Sequence, residues 1–246
     1  MVTRRKIEIV FRRKVRAIWL EQGMALAAKG ETWKNAKQVL NSQIAAENPG
    51  AVTVSKVLEH IRRVWFEPPE DSQALRTDAF RILHGDDTQN TRLLLNWGMT
   101  IAAYPFVGST GEALGRLLKL QNEAHRADVQ RRLREQYGDR DFVSRIARYN
   151  ISSFLDWGII KEAKPKGVYL LAKQARPKNG VQLAWLTEAI LISSGESQMS
   201  FSKLSHHPIL FPIAVEALSA SLLLSNPRLR VARQGLNEDV VSLATR

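Results

Sequence analysis

The order of helix and strand patterns between residues 126 and 173 constrains the fold of this chain more than any other sequence feature. In its first part, apolar side chains recur every four residues, which places them on one face of a helix over 127–137. These side chains are Val129, Leu133 and Tyr137. Gly138 is suited to end this helix, because glycine adopts the left-handed conformation found just past a helix C-terminus.

A second helix is predicted directly after Gly138. Asp139 or Asp141 is its expected N-cap, because a short side-chain oxygen can accept a hydrogen bond from the first turn. Its apolar positions are spaced by three and four, which predicts a buried stripe of Val143, Ile146, Ala147, Asn150, Ile151, Phe154 and Leu155. A connection of three or four residues between the two helices is typical of a helix-turn-helix.

The opposite face of the second helix carries side chains suited to DNA. They are Ser144, Arg145, Arg148, Tyr149 and Ser152. Arginine can bind the O6 and N7 edge of guanine in the major groove, and hydroxyl groups can bind phosphate. We therefore expect this face to enter the groove, with phosphate contacts from Arg131, Arg134 and Arg140.

Two short strands are predicted at 159–162 and 168–172, around a tip that contains Lys164 and Lys166. A basic hairpin tip can lie along a phosphate backbone as a wing. The whole stretch is therefore predicted to be a winged-helix module for nucleic acid, although units of this shape also serve as protein interfaces.

The formal net charge of +12 is concentrated in two segments. Residues 126–176 contain twelve Lys or Arg and six Asp or Glu, and residues 1–20 contain seven basic residues and one acidic residue. Such clustering indicates a polyanionic partner. The N-terminal cluster, which includes Arg4, Arg5, Arg12 and Arg13, predicts a basic arm leading into an amphipathic helix. A nucleic-acid arm, a solvated helix face and a membrane-surface helix remain the alternatives for it.

Composition and motifs point away from other classes of protein. The chain has 246 residues, of which 44% are hydrophobic and 24% charged, as in globular proteins. It has no cysteine, which excludes disulfides and thiolate zinc sites. No phosphate-binding loop, dinucleotide motif or histidine ligand set is present, and His206 and His207 are expected in a surface loop. We expect a cytoplasmic protein without catalytic activity, cofactor, metal, small-molecule substrate or membrane partner.

The predicted fold is mainly α, with a helical domain over 1–125, the winged-helix-like module over 126–176 and a helical region with a small hairpin over 177–246. Thr32 is an expected N-cap upstream, and Ser109 or Thr110 another. Helices over 181–192, 201–205 and 212–224 are predicted downstream, followed by strands at 229–233 and 239–243 around Gly235-Leu236-Asn237. This region predicts either a second winged helix or a terminal hairpin packed on the core.

Four stretches carry a resemblance to a known family. They are 33–40, 57–65, Leu95-Asn96-Trp97 with Tyr104-Pro105-Phe106, and 154–160, which ends Trp157-Gly158-Ile159-Ile160. In their order and apolar spacing, over roughly residues 30–165, the chain resembles the BrxA-like small accessory proteins of bacteriophage exclusion (BREX) defence systems. The resemblance implies a small, mostly helical, non-enzymatic DNA-binding component that works beside larger methyltransferase and ATPase partners. The basic N-terminus departs from the family pattern.

The sequence thus predicts a non-enzymatic accessory protein of a phage-defence system that binds double-stranded DNA. Two alternatives stay open. One is a protein-interaction scaffold whose basic faces meet acidic partners, and the other is an RNA-binding protein that uses similar residues.

Overall fold

Helices make up most of the structure. The computed structural model describes residues 10–47, 49–215, 218–234 and 238–244. Its helices are α1 (Ala17–Ala28), α2 (Trp33–Ala46), α3 (Ala51–Ile61), α4 (Gln73–Gly85), α5 (Gln89–Ala103), α6 (Pro105–Gln121), α7 (Arg126–Tyr137), α8 (Asp141–Asp156), α9 (Gly180–Ser194), α10 (Phe201–Ser205) and α11 (Ala220–Leu223). The predicted mainly α class is confirmed.

Two small antiparallel sheets accompany the helices. The first contains β1 (Ala124–His125), β2 (Ile160–Ala163) and β3 (Val168–Leu171) in the order β1-β3-β2. The second contains β4 (Gln198–Ser200), β5 (Leu229–Gln234) and β6 (Glu238–Leu243) in the order β4-β6-β5. Both predicted hairpins are confirmed; the turn at 235–237 lies outside the described residues.

The two sheets belong to stretches that repeat one order of elements. In the first unit, residues 105–171, helix α6 is followed by β1, α7, α8 and the hairpin β2–β3. In the second unit, residues 180–243, helix α9 is followed by β4, α10, α11 and the hairpin β5–β6. In each unit the last strand pairs with both of the others, so the first strand of the unit forms one edge of the sheet.

A continuous hydrophobic cluster from Val10 to Val241 joins the N-terminal helices to both units. Helix α5 lies near its centre and is buried over most of its length. It approaches α9 closely at Gly98, where an added Cβ would collide with the Trp185 ring. The preceding residue of α5, Trp97, packs edge-on against Phe154 and Phe211, with ring centroids 5.3 and 5.5 Å away. These large aromatic side chains connect α5 to both units.

The beginning of α6 differs from the prediction. The helix begins at Pro105, so Ser109 and Thr110 lie within it rather than at its N-cap, and both are buried. The Ser109 and Tyr137 hydroxyl oxygens lie 2.6 Å apart, and the Thr110 hydroxyl accepts a hydrogen bond from Asn150 at 2.9 Å. The prediction of a cap was wrong because these hydroxyls instead fasten α6 to α7 and α8. The predicted cap at Thr32 is confirmed, since it accepts from Asn35.

The predicted helix over 212–224 was also wrong. The chain forms a 3-10 turn at Pro208–Leu210 and irregular structure at 211–215, and of the described residues in the predicted range only Ala220–Leu223 are α-helical. The backbone of this segment is hydrogen-bonded to Ala175 instead: the Ala175 N–H donates to the Pro212 carbonyl at 2.9 Å, and the Ala214 N–H donates to the Ala175 carbonyl at 2.8 Å. These bonds attach the segment to the chain just after the first hairpin, which prevents helical pairing.

Candidate nucleic-acid interface

Both helices of the predicted helix-turn-helix, α7 and α8, are present in the first unit. Helix α7 ends at Tyr137 and α8 begins at Asp141, so three residues connect them. Gly138 has a φ of +99°, and its N–H donates to the Arg134 carbonyl at 2.8 Å. The N-cap of α8 is Arg140, without a side-chain capping bond, so the prediction of Asp139 or Asp141 as cap was wrong. Asp141 instead lies in the first turn, where the helix dipole favours a negative charge.

The face of α8 that was predicted to be buried is buried, apart from the partly exposed Leu155. Asn150 is fully buried in this face and donates to Thr110 on α6. The rest of the helix is thereby directed to solvent. Arg145 and Arg148 are exposed there, and the half-buried neighbours on that side are Ser144, Tyr149 and Ser152.

Ion pairing divides the predicted basic residues into two groups. Arg131 lies between Asp128 and Glu135, at 3.4 and 2.9 Å, and its hydrogen bond to Glu135 raises the pKa of the guanidinium. Arg134 contacts Asp139 at 3.5 Å. The positive charge of these α7 arginines is therefore compensated by acidic neighbours on the same helix or turn.

Arg145 and Arg148 form the other group, because neither has an ion pair with any residue that the structure describes. The Arg145 guanidinium lies over the Phe142 ring, 5.7 Å from its centroid. Arg140, just before α8, donates to the Tyr137 carbonyl at 3.2 Å and likewise has no acidic partner among the described residues. The N-terminal half of α8 thus presents uncompensated positive charge to solvent.

The hairpin β2–β3 is shaped by internal bonds. Glu162 accepts from the Gly167 N–H at 2.9 Å and contacts Arg126 at 3.5 Å. Arg126 also donates to the Tyr169 hydroxyl at 3.0 Å. The predicted tip lysines, Lys164 and Lys166, are exposed and make no ion pair within the described residues. A third exposed lysine, Lys161, lies on β2 and was missed, since a strand residue in a short hairpin gives no distinct sequence signal.

The N-terminal segment, defined as residues 10–16, is fastened to α8. The Val15 N–H donates to Ser153 at 2.9 Å, and the Trp157 indole donates to the Val15 carbonyl at 2.9 Å. Phe11 is fully buried and stacks on Tyr104 with ring centroids 4.7 Å apart. The prediction of a basic arm needs correction for these residues, since their apolar side chains enter the core and the helix starts only at Ala17.

This attachment places basic side chains beside the solvent-facing side of α8. The Arg13 guanidinium lies over the Tyr149 ring, 5.7 Å from its centroid, and donates to the Tyr149 hydroxyl at 3.5 Å. Arg12 is exposed. Lys14 and Arg16 instead pair with Asp156, at 2.9 and 3.3 Å. The other predicted arm residues, Arg4 and Arg5, lie outside the described residues.

Two buried histidines have structural roles. Burial lowers the pKa of His60 from 6.5 to about 3, so its ring is neutral. Its Nε2 accepts from the Arg12 N–H at 3.0 Å, and its Nδ1 therefore carries the proton and donates to the Tyr104 hydroxyl at 2.9 Å. His207 is buried and accepts from the Ile209 N–H, so its predicted place in a surface loop was wrong. His206 is exposed, as expected.

The described part of the chain lacks two further kinds of functional feature. Within it, no cluster of three or more histidine, aspartate and glutamate side chains is suited to hold a metal ion. No helix there has the length and apolarity needed to cross a membrane. Comparisons with protein-family models, with curated proteins and with solved structures found no match to this chain.

Proposed function

We propose that this protein binds double-stranded DNA through its first unit, with α8 in the major groove and the hairpin β2–β3 as a wing. The observation that carries the proposal is the pair Arg145 and Arg148. Both are exposed on a helix whose other side is buried, and neither has an acidic partner among the described residues. A paired arginine such as Arg131 has its charge offset by its own helix, whereas these two are available to a polyanion.

The proposed roles follow from position. Arg145 and Arg148 contact guanine edges in the groove, since their planar guanidiniums match O6 and N7. Tyr149, held by Arg13, and the half-buried hydroxyls of Ser144 and Ser152 contact the adjacent backbone. The phosphate contacts come from the cations around them that have no ion pair among the described residues: Arg13, Arg140, Lys164 and Lys166.

Duplex DNA is favoured over RNA because a helix is the reading element. The major groove of B-DNA, about 12 Å wide, accepts an α-helix, whereas the major groove of A-form RNA is too narrow for one. Arg131 and Arg134 keep a secondary place in the proposal, because a phosphate would have to compete with their present acidic partners.

The biological setting in the proposal comes from the family resemblance. It makes the protein a cytoplasmic, non-enzymatic accessory component of a BREX-type phage-defence system that acts beside methyltransferase and ATPase partners. Pull-down of such partners with the tagged protein, before and after nuclease treatment, tests this part: partners retained after nuclease support it, and partners lost with the DNA contradict a direct complex.

The binding proposal is tested by competition between duplex DNA and a matched RNA hairpin at near-physiological salt. We expect the duplex to win. If six phosphates are neutralised, affinity should fall about a thousandfold between roughly 50 and 200 mM salt. A flat salt response would contradict the proposal. Preference for the hairpin would make the protein an RNA binder, and failure to bind either would favour the protein-interaction scaffold.

A further inference from the structure

A basic cleft lies between the N-terminal segment and the turn that follows α3. It has a volume of about 450 Å³ and is lined by Arg12, Glu59, Arg62, Arg63, Glu67 and Tyr104, among others. The turn is a π-helix over Arg62–Phe66. Such turns are rare and are often found at functional sites, which makes the charges in this cleft of interest.

The acidic side chains of the cleft have partners of their own. Glu67 pairs with Arg62 at 2.6 Å, and Glu59 pairs with Lys56 at 2.9 Å. Arg12 and Arg63 therefore remain without an ion pair among the residues described. Since the buried His60 is neutral, these two guanidiniums give the cleft its excess positive charge.

Both arginines are held in place by the surrounding structure. The Arg12 N–H is bonded to His60 Nε2 at 3.0 Å, which fixes the backbone from which the side chain extends. Arg63 donates through Nε to the Ala103 carbonyl at 3.1 Å, and its guanidinium lies over the Tyr104 ring, 5.6 Å from the centroid. A guanidinium oriented in this way can offer its remaining N–H groups to two oxygens of one phosphate.

The cleft adjoins the proposed interface through Arg13. Arg13 contacts Tyr149 of α8, and its neighbour Arg12 lines the cleft together with Arg63. Cations without an ion pair in the described part of the chain thus extend from Arg145 and Arg148 through Arg13 and Arg12 to Arg63 on the π-helix. This band leaves the first unit and reaches the N-terminal helices.

We propose that the cleft binds a backbone phosphate of the same DNA duplex, beyond the base pairs that α8 contacts. This inference rests on the proposed function. It makes the N-terminal helices part of the DNA-binding surface, so the protein covers a longer duplex than the first unit alone would cover.

The test compares two duplexes in fluorescence anisotropy, one of about 12 base pairs, little more than a helical turn, and one of about 30 with the same centre. Arg12→Ala/Arg63→Ala should weaken binding of the long duplex about tenfold and reduce the slope of its salt dependence by about two. Binding of the short duplex should be unchanged. Arg63→Lys with Arg12 intact should give a smaller loss, because the charge remains without the planar fork.

Arg81→Ala/Lys203→Ala is the matched control. It removes two positive charges from α4 and α10, where both side chains are already ion-paired. Should Arg63→Ala lower the thermal midpoint, Arg12→Ala alone carries the test, since that exposed side chain makes no hydrogen bond within the described chain. Unchanged binding of the long duplex, or equal losses on both duplexes, would overturn the inference. Failure of the unaltered protein to bind either duplex would overturn the proposed function instead.

Discussion

The two units share one order of elements but differ in the chain between their second and third helices. In the first unit, three residues connect α7 to the sixteen-residue α8. In the second, residues 206–219 separate α10 from α11, which has four residues. Charge differs in parallel. Residues 105–171 contain twelve Lys or Arg and eight Asp or Glu, whereas residues 180–243 contain four and five.

This difference shows how the same topology can serve two purposes. The second unit uses its connecting chain for packing: Phe211 contacts Trp97, and Gly115 of α6 is so close to the Pro208 carbonyl that an added Cβ would collide with it. Its first helix, α9, is buried on all sides over residues 184–191. Among the residues that the structure describes, only the first unit has a long helix with solvent-facing arginines that lack an ion pair. The order of elements alone therefore does not identify a DNA reader, and the proposed function depends on the exposed charge of the first unit.

The largest predicted effect is confined to the first unit. Arg145→Ala/Arg148→Ala should weaken duplex binding at least a hundredfold, since each arginine–guanine contact contributes about 1–3 kcal/mol. The thermal midpoint should stay nearly constant, because both side chains are exposed. Anisotropy and a thermal melt measure the two quantities. Unaltered affinity would move the interface elsewhere and remove the contrast between the units.

A buried ion pair should distinguish the second unit. Glu188 is almost fully buried and accepts from Arg228 at 2.6 Å and from Asn226 at 2.7 Å. Glu188→Ala should lower the free energy of unfolding by about 3 kcal/mol in a urea titration, because Arg228 loses its main partner. In the first unit, the ion-paired Glu162 is about one-third exposed, and Glu162→Ala should cost about 1 kcal/mol or less. Equal losses of unfolding free energy in Glu188→Ala and Glu162→Ala would contradict the interpretation that the second unit serves for packing.

Acid should loosen the N-terminal segment from α3, which carries His60. In the unfolded chain His60 has a pKa near 6.5, whereas in the folded protein its pKa is about 3. The contribution of the neutral His60 to the free energy of unfolding is therefore fully present above pH 6.5 and decreases as the pH falls below it. At about 1.4 kcal/mol per pH unit, the loss reaches roughly 2 kcal/mol by pH 5. His60→Gln should remove this part of the slope in urea titrations, while the exposed His206→Gln should behave like the unaltered protein. An unchanged pH dependence of the free energy of unfolding in His60→Gln would show that protonation of His60 does not cause this loss of stability.

The smallest predicted effect compares the two hairpins. Lys164→Ala/Lys166→Ala should weaken duplex binding about tenfold and lower the salt slope by about two. Arg230→Ala, an exposed arginine on β5, should change affinity less than twofold, because the second unit makes no phosphate contact in the proposal. A larger effect of Arg230→Ala, measured at the same salt, would make the second hairpin a wing as well.

Periodicity predicted much of the helical structure, because a buried helical face depends on spacing within one segment. Six of the seven residues predicted for the buried stripe on α8 are buried, including the polar Asn150, and Leu155 is partly exposed. The errors arose where a side chain meets a distant partner. Ser109 and Thr110 look like caps in sequence, yet their bonds reach residues 28 and 40 positions away, which no local pattern can reveal.

The candidate site was predictable in composition but not in its charge balance. The arginines of α7 and α8 look alike in sequence, and only the structure shows that Arg131 is paired while Arg148 has no acidic partner in the described chain. The N-terminal segment posed the same difficulty. Phe11 and Val15 are separated by basic residues, and both are buried by distant parts of the chain: Phe11 stacks on Tyr104, and the Val15 N–H donates to Ser153 of α8.

The bond between Val15 and Ser153 joins residues 138 positions apart. During synthesis at about 5–20 residues per second, the N-terminal segment therefore waits roughly 7 to 28 seconds before its binding surface leaves the ribosome. For that time Arg13, Lys14 and Val15 lack their native contacts with α8. The segment therefore reaches its final place on α8 only after a further 138 residues have been made.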